Sequence, residues 1–140
     1  MTVLSEVELM RCRQNAAVAV ELAAKVIYDR RTMPADKDVF WSCAEQIALT
    51  AILLHVAEIT DSPTPTTITD LIAARTLAAL DDEISNSPSR DARAFWLKLR
   101  TMQSRLLATV LGGVTLKWTF NPHHNEETLN DGHSQIPSTD

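Results

Sequence analysis

Apolar residues recur with the period of an α-helix along most of the chain. From residue 5 to residue 29 they are spaced by three, four or seven, which marks one face of an amphipathic helix. Ser5 and Glu8 form a capping-box pattern at its start, and Pro34 follows its end. The apolar face of this first predicted helix is formed by Met10, Ala17, Val20, Ala24 and Ile27.

A second helix is predicted from Asp36 or Asp38 to Ile59, and it is apolar around most of its circumference. A helix of this kind belongs at the centre of a bundle. Its few polar residues, His55 among them, must be hydrogen-bonded or face solvent. We expect structural core positions at Phe40, Trp41, Ile47 and Leu54 and, on a later helix, Trp96.

Further helices follow a loop at residues 60–66 that contains two prolines. Thr67 is the predicted cap of a helix that reaches Ile84 with a bend near Arg75. Another helix begins at Ser87 or Ser89 and continues to Val110, which would place Arg90, Arg93 and Arg100 on one face.

Residues 114–120 alternate apolar and polar side chains, as a half-buried strand does, yet they also continue the helical spacing. Helix is favoured through about residue 118, because a lone strand would leave its backbone groups unpaired. The strand remains the alternative.

The sequence therefore predicts an all-α protein: a compact bundle of about five to six helices in one domain, residues 1–120, followed by a flexible, disordered polar tail, residues 121–140.

The net charge of −5 is unevenly distributed along the chain. Residues 36–87 contain nine acidic and two basic side chains, whereas residues 88–120 contain six basic and one acidic. The overall acidity argues against general binding of duplex DNA.

Three features of the sequence lead us to expect a cytoplasmic protein. There is no secretory signal and no unbroken apolar run of about 18 residues. Both cysteines fall in predicted helices, where they are expected to be small core residues.

Catalytic and metal-binding patterns are missing from the sequence. It has no phosphate-binding loop, no Gly-x-Ser-x-Gly and no Cys-x-x-Cys. His55 is expected to be a hydrogen-bonded core residue, not a catalytic base. The tail lacks a rigid frame for a metal site at its polar cluster of His123, His124, Glu126, Glu127 and His133. We expect no enzyme, no cofactor and no metal.

Distinctive hydrophobic motifs recur between about residues 36 and 122. They are Phe40-Trp41-x-x-Ala44, Leu49-Thr-Ala-Ile-Leu-Leu-His55-Val, Pro65-Thr-Thr-Ile-Thr-Asp70-Leu-Ile and Ser104-Arg-Leu-Leu-Ala-Thr109, followed by Leu116-x-Trp-x-Phe120-x-Pro122. In their order and spacing these motifs resemble the all-α domain of type IV coupling proteins, the hexameric, membrane-anchored motor ATPases (TraG-like) of bacterial conjugation and type IV secretion. The motor's Walker motifs and membrane helices are absent, so the chain would be that domain excised or a free-standing relative.

The resemblance implies a substrate receptor at the cytoplasmic mouth of the motor, with the isolated domain monomeric. Its partners would be secreted effectors, relaxases or accessory proteins, whose secretion signals are often basic. The hypothetical docking surface is acidic and comprises Asp36, Asp38, Asp81, Asp82 and Glu83.

Two alternatives stay open. One is a DNA-contacting module of the conjugation machinery, and the other is an unrelated helical adaptor or dimer that meets its partner through its Trp-bearing helices. The DNA contacts would come from Arg90, Arg93, Arg100 and Arg105.

Overall fold

The computed structural model describes residues 6–28, 39–102 and 104–119. These residues form seven α-helices and no strand, so the all-α prediction is confirmed. The predicted tail and its histidines lie outside the described residues, as do Ser5, Asp36 and Asp38. The helices are α1 (Glu6–Arg11), α2 (Ala16–Ile27), α3 (Val39–Ile59), α4 (Pro65–Ala74), α5 (Leu77–Ser85), α6 (Arg90–Leu97) and α7 (Ser104–Thr119).

Helix α3 is the centre of the bundle, as its apolar circumference predicts. It packs most extensively against α2, α6 and α7, and it also contacts α1, α4 and α5. Every residue from Ala48 to Ala57 is buried. By length and composition alone the stretch Trp41–Ile59 could also cross a membrane, but 72% of its apolar window is buried by the rest of the protein.

The core predictions hold to different degrees. Leu54 and Trp96 are buried, whereas Trp41 and Ile47 are half-buried against the core. The side chain of Phe40 lies outside the described part of the chain.

The first predicted helix is in fact two helices, so the prediction of one continuous element is wrong. A turn at residues 12–15 separates α1 from α2, and the side chain of Asn15 caps α2 by accepting a hydrogen bond from the Ala17 amide at 3.0 Å. Apolar side chains face the core on both sides of this turn, since Leu9, Cys12 and Ala19 are all buried. The spacing of apolar residues alone cannot reveal a turn after which the apolar side chains still face the core.

The predicted cap at Thr67 is wrong by three residues. Helix α4 is capped by Thr64, and Thr64 and Thr67 form a reciprocal capping box with two bonds of 3.2 Å. Pro65 occupies the first helical position, where its missing N–H costs nothing. The bend expected near Arg75 is a complete break, because the backbone of Arg75 is extended and Thr76 caps α5.

The single helix predicted from Ser87 or Ser89 to Val110 is also wrong. Ser89 caps α6, which ends at Leu97, and a series of turns leads to α7. In these turns the Leu99 amide bonds to the Trp96 carbonyl at 2.9 Å and keeps Leu99 buried. The prediction of a helix through about residue 118, favoured over a strand, is confirmed, since α7 continues through both glycines to Thr119.

A buried ion pair joins α7 to the central helix. Lys117 Nζ donates to the carboxylate of Glu45, and both side chains are only 8% exposed. Gly113 lies one turn before Lys117, and a Cβ there would come within 2.8 Å of the Glu45 carboxyl carbon. Gly113 therefore leaves the room that Glu45 needs to reach Lys117. A Cβ at the neighbouring Gly112 would meet no atom within 4 Å.

Replacing each of the two adjacent glycines by alanine should change the free energy of unfolding in opposite directions. Gly112→Ala should raise the free energy of unfolding by about 0.5–1 kcal/mol, since alanine suits a helix better than glycine. Gly113→Ala should lower it by about 1–3 kcal/mol, because the added methyl group displaces Glu45 from its buried pair. Urea unfolding followed by tryptophan fluorescence measures both changes. Equal shifts for the two variants would contradict the proposed crowding, because their gain in helix propensity is the same.

Candidate functional site

The acidic segment of α5 is the part of the described surface that the sequence singled out most clearly. Helix α5 is capped by Thr76 and fixed in the core by Leu80 and Ile84. Successive helical residues point about 100° apart. The three carboxylates at positions 81–83 therefore have different surroundings.

Glu83 is bonded within the fold through both of its oxygens. Its Oε2 lies 2.7 Å from His55 Nε2, and its Oε1 accepts from Arg75 Nε at 2.5 Å. The other ring nitrogen of His55, Nδ1, lies 2.7 Å from Ser87 Oγ. Glu83 thus connects α5 to the central helix and to the α4–α5 junction.

The hydrogen-bond partners of His55 are compatible with one tautomer of a neutral ring. Ser87 Oγ accepts from the Ser89 amide at 3.0 Å, so its own hydrogen is available to donate to His55 Nδ1. His55 Nε2 then carries the hydrogen that it donates to Glu83. The ring is 2% exposed, which confirms the prediction that His55 is a hydrogen-bonded core residue.

The Ser–His–Glu arrangement does not have the geometry of a nucleophilic site. Ser87 is only 1% exposed, and its hydroxyl group is bonded on two sides. A catalytic serine needs space beside its oxygen for the carbonyl that it attacks. The described crevices are lined by other residues than Ser87. The arrangement therefore joins α3, α5 and the loop before α6.

The carboxylate oxygens of Asp81 and Asp82 are used less completely within the fold than those of Glu83. Three groups reach Asp81, and all of them use Oδ1: Trp96 Nε1 at 2.8 Å, Ser85 Oγ at 3.4 Å and Arg100 Nε at 3.5 Å. The side chain of Asp81 is 31% exposed. Asp82 is exposed, and its Oδ1 accepts one long hydrogen bond, from Asn86 Nδ2 at 3.4 Å. Of the predicted acidic surface, Asp81 and Asp82 thus lie on neighbouring faces of α5, and each has one carboxylate oxygen that no described residue uses.

The four arginines of the DNA alternative are divided between two roles. Arg93 donates to the Ser87 carbonyl at 2.5 Å, and Arg100 pairs with Asp81. The expectation of one shared helical face is wrong for Arg100, because α6 ends before it. Arg90 and Arg105 are exposed, on α6 and α7 respectively.

Burial and hydrogen bonding act in opposite directions on the pKa of Glu83. Partial burial raises the pKa, but the bonds from His55 and Arg75 outweigh it and hold the pKa below its ordinary value of 4.5. This network could not be predicted from the sequence, because Glu83 and Ser87 are 28 and 32 residues away from His55 along the chain. The only local signal was that Ser87 looked like a helix cap.

A small crevice opens where the α4–α5 junction meets α7. Its volume is about 190 Å³, and Ile52, Leu80 and Val114 contribute to its walls. Arg75 and Thr76 lie at the same place, next to the Glu83 network. Within the described residues no group of three or more His, Cys, Asp or Glu side chains is placed to hold a metal ion.

No protein-family model, curated protein or solved structure matches this chain. Its function is therefore inferred from its own residues and fold.

Removing the charge of Glu83 should destabilise the protein at neutral pH but much less in acid. Because the folded-state pKa is lowered, ionised Glu83 stabilises the fold above pH 4.5, and this contribution is lost as the pH falls below that value through the folded pKa. Glu83→Gln should cost about 1–2 kcal/mol at pH 7. Urea midpoints at pH 7 and pH 3 give the difference. Asp82→Asn is the matched control and should change little at either pH. A loss for Glu83→Gln that is the same at both pH values would count against the network.

The two thiols should react at very different rates in the folded protein. Burial, with a smaller effect of the Glu8 carboxylate, raises the pKa of Cys12 to about 12, whereas Cys43 is exposed. A disulfide reagent at pH 8 should therefore label one thiol quickly and the second only after unfolding, because the thiolate is the reactive form. Cys43→Ser should abolish the fast phase. Fast labelling of both thiols would show that α1 opens readily.

Proposed function

We propose that this chain is a non-catalytic protein-recognition domain with the role of the all-α domain of type IV coupling proteins. In that role it would bind secreted effectors, relaxases or accessory proteins at the cytoplasmic face of the membrane, next to a hexameric motor. Two features support the proposal: the hydrophobic motifs of residues 36–122 and the all-helical fold of the described residues. As an isolated domain it would be monomeric.

The observation that carries this proposal is the placement of Asp81 and Asp82 on α5. The carboxylate of Asp81 is held by the indole of buried Trp96, and only one of its oxygens is used by described residues. Asp82 is exposed on the same helix, one residue away. A carboxylate held like that of Asp81 loses little freedom when a partner binds, and exposed Asp82 adds a second negative charge, so the two favour a cationic segment such as a basic secretion signal.

The docking surface is narrower than the five acids that the sequence suggested. Glu83 uses both oxygens inside the fold, so we assign it a structural role. Asp36 and Asp38 lie outside the described residues and stay a hypothesis. Changing all three acids at 81–83 would break internal bonds as well as remove charge, and Asp82 alone allows a clean test.

The competing functions use other surfaces. Contact with single-stranded DNA would depend mainly on Arg90 and Arg105, because Arg93 and Arg100 are bonded within the fold. An adaptor or dimer that meets its partner through its Trp-bearing helices could use only Trp41 among the tryptophan side chains, since Trp41 is half-buried whereas Trp96 and Trp118 are 0% and 1% exposed. Recognition of a basic protein segment is therefore favoured.

Charge reversal at Asp82 should weaken binding of a basic partner. With an arginine-rich synthetic peptide as the probe, Asp82→Lys should raise the dissociation constant about two- to fivefold at low salt, and the effect should fade as salt screens the charges. Asp70→Lys, which makes the same charge change on the exposed face of α4, is the control and should have less effect. Fluorescence anisotropy measures both.

An unchanged affinity in Asp82→Lys would contradict the acidic docking surface. A single-stranded oligonucleotide serves as the second probe. If it binds more tightly than the peptide, and Arg90→Ala or Arg105→Ala weakens it, the DNA-contacting function replaces the proposed one.

A further inference from the structure

The crevice between the α4–α5 junction and α7 combines apolar walls with a cationic mouth. Its volume of about 190 Å³ compares with the roughly 150 Å³ of an apolar protein cavity that holds benzene. It is half open to solvent, so a ligand can enter without unfolding the chain. The larger apolar side chains of its lining are Ile52, Ile72, Leu77, Leu80, Leu111 and Val114.

Arg75 lines the crevice with most of its hydrogen-bonding capacity unused. Its Nε donates to Glu83, which fixes the plane of the guanidinium group. A guanidinium group has five N–H donors, and four of them are on the two terminal nitrogens. Among the described residues no hydrogen bond to these terminal nitrogens is present, and the side chain is 36% exposed. The geometry of two terminal N–H groups matches a carboxylate.

The first turn of α5 adds a second feature that favours an anion. Thr76 caps the helix through two bonds, in which its Oγ accepts from the Ala79 amide and its carbonyl from the Leu80 amide. The amides of Leu77 and Ala78 precede these and have no partner within the helix. Thr76 and Leu77 both line the crevice, so the positive end of the α5 dipole is at its mouth.

We propose that this crevice binds a small apolar molecule that carries a carboxylate. The apolar group would fill the space between Ile52, Leu80 and Val114, and the carboxylate would bond to the terminal nitrogens of Arg75 and the start of α5. Glu83 holds Arg75 in place and balances part of its charge, so the binding is of moderate strength. The proposal is independent of the protein-recognition function, which uses Asp81 and Asp82 in the middle of α5.

One open position on α7 allows the crevice to be filled without disturbing the fold. Gly112 lines the crevice, and a Cβ there would meet no atom within 4 Å. A leucine at this position would extend into the space that the ligand needs. Gly112→Ala adds a single methyl group and is the matched control.

The test is a nuclear magnetic resonance titration of the full chain with octanoate, octanol and acetate. Octanoate should shift the amides of Thr76, Leu77 and Thr115 with a dissociation constant of about 1 mM or tighter. Octanol lacks the charge and acetate lacks the chain, so each should bind at least about tenfold more weakly. Arg75→Gln should abolish the preference for octanoate over octanol, and Gly112→Leu should abolish binding of both.

The same titration separates two sources of the ligand. A short peptide that ends in leucine with a free carboxylate presents the same chemistry as a free acid, and its amidated form does not. Tighter binding of octanoate points to a free acid, and tighter binding of the peptide points to a protein C-terminus; either result supports the site. Equal binding of octanoate and octanol, shifts at other amides, or octanoate binding that survives Gly112→Leu would overturn the proposal.

Discussion

The burial of α3 on all sides is the constraint on which the rest of this structure depends. A helix whose apolar residues cover most of its circumference cannot lie at a surface, so the other helices must enclose it. The chain does this with α2, α6 and α7, while the shorter helices close the remaining gaps. The shortness of α1, α4, α5 and α6 follows from this arrangement, because each element covers one part of a 21-residue helix and then turns away.

The polar residues of α3 determine which neighbour lies where. Apolar packing is not directional, and several arrangements of the outer helices could bury the same surface. The polar side chains of α3 restrict the arrangement of the outer helices, because each of them needs a hydrogen-bonding partner. Gln46 donates to the Val20 carbonyl on α2, Glu45 pairs with Lys117 on α7, and His55 bonds to Glu83 on α5. We interpret these bonds as the elements that set the register of the bundle.

The sequence predicted the fold class and the central helix because these depend on a strong and continuous apolar pattern. It failed at the two places where a turn keeps that pattern in phase. Asn15 is a recognisable cap, so the first break had a local signal. The break after Leu97 had none, since Lys98 to Met102 contains neither glycine nor proline. There the position of the turn depends on tertiary contacts, above all on the burial of Leu99.

The acidic segment shows why a charge pattern along the chain does not give the charge pattern of a surface. The sequence separates an acidic stretch, residues 36–87, from a basic one, residues 88–120. Folding places α5 against α6, so the two stretches meet and partly neutralise each other at Asp81 and Arg100. Glu83 is paired with Arg75, one of the two basic residues within the acidic stretch itself. On α5 the carboxylate oxygens that the fold leaves unused are therefore the second oxygen of exposed Asp82 and the second oxygen of Asp81. A carboxylate that keeps the fold together has little capacity left for a ligand, so the charges that matter for recognition are those the fold itself does not use.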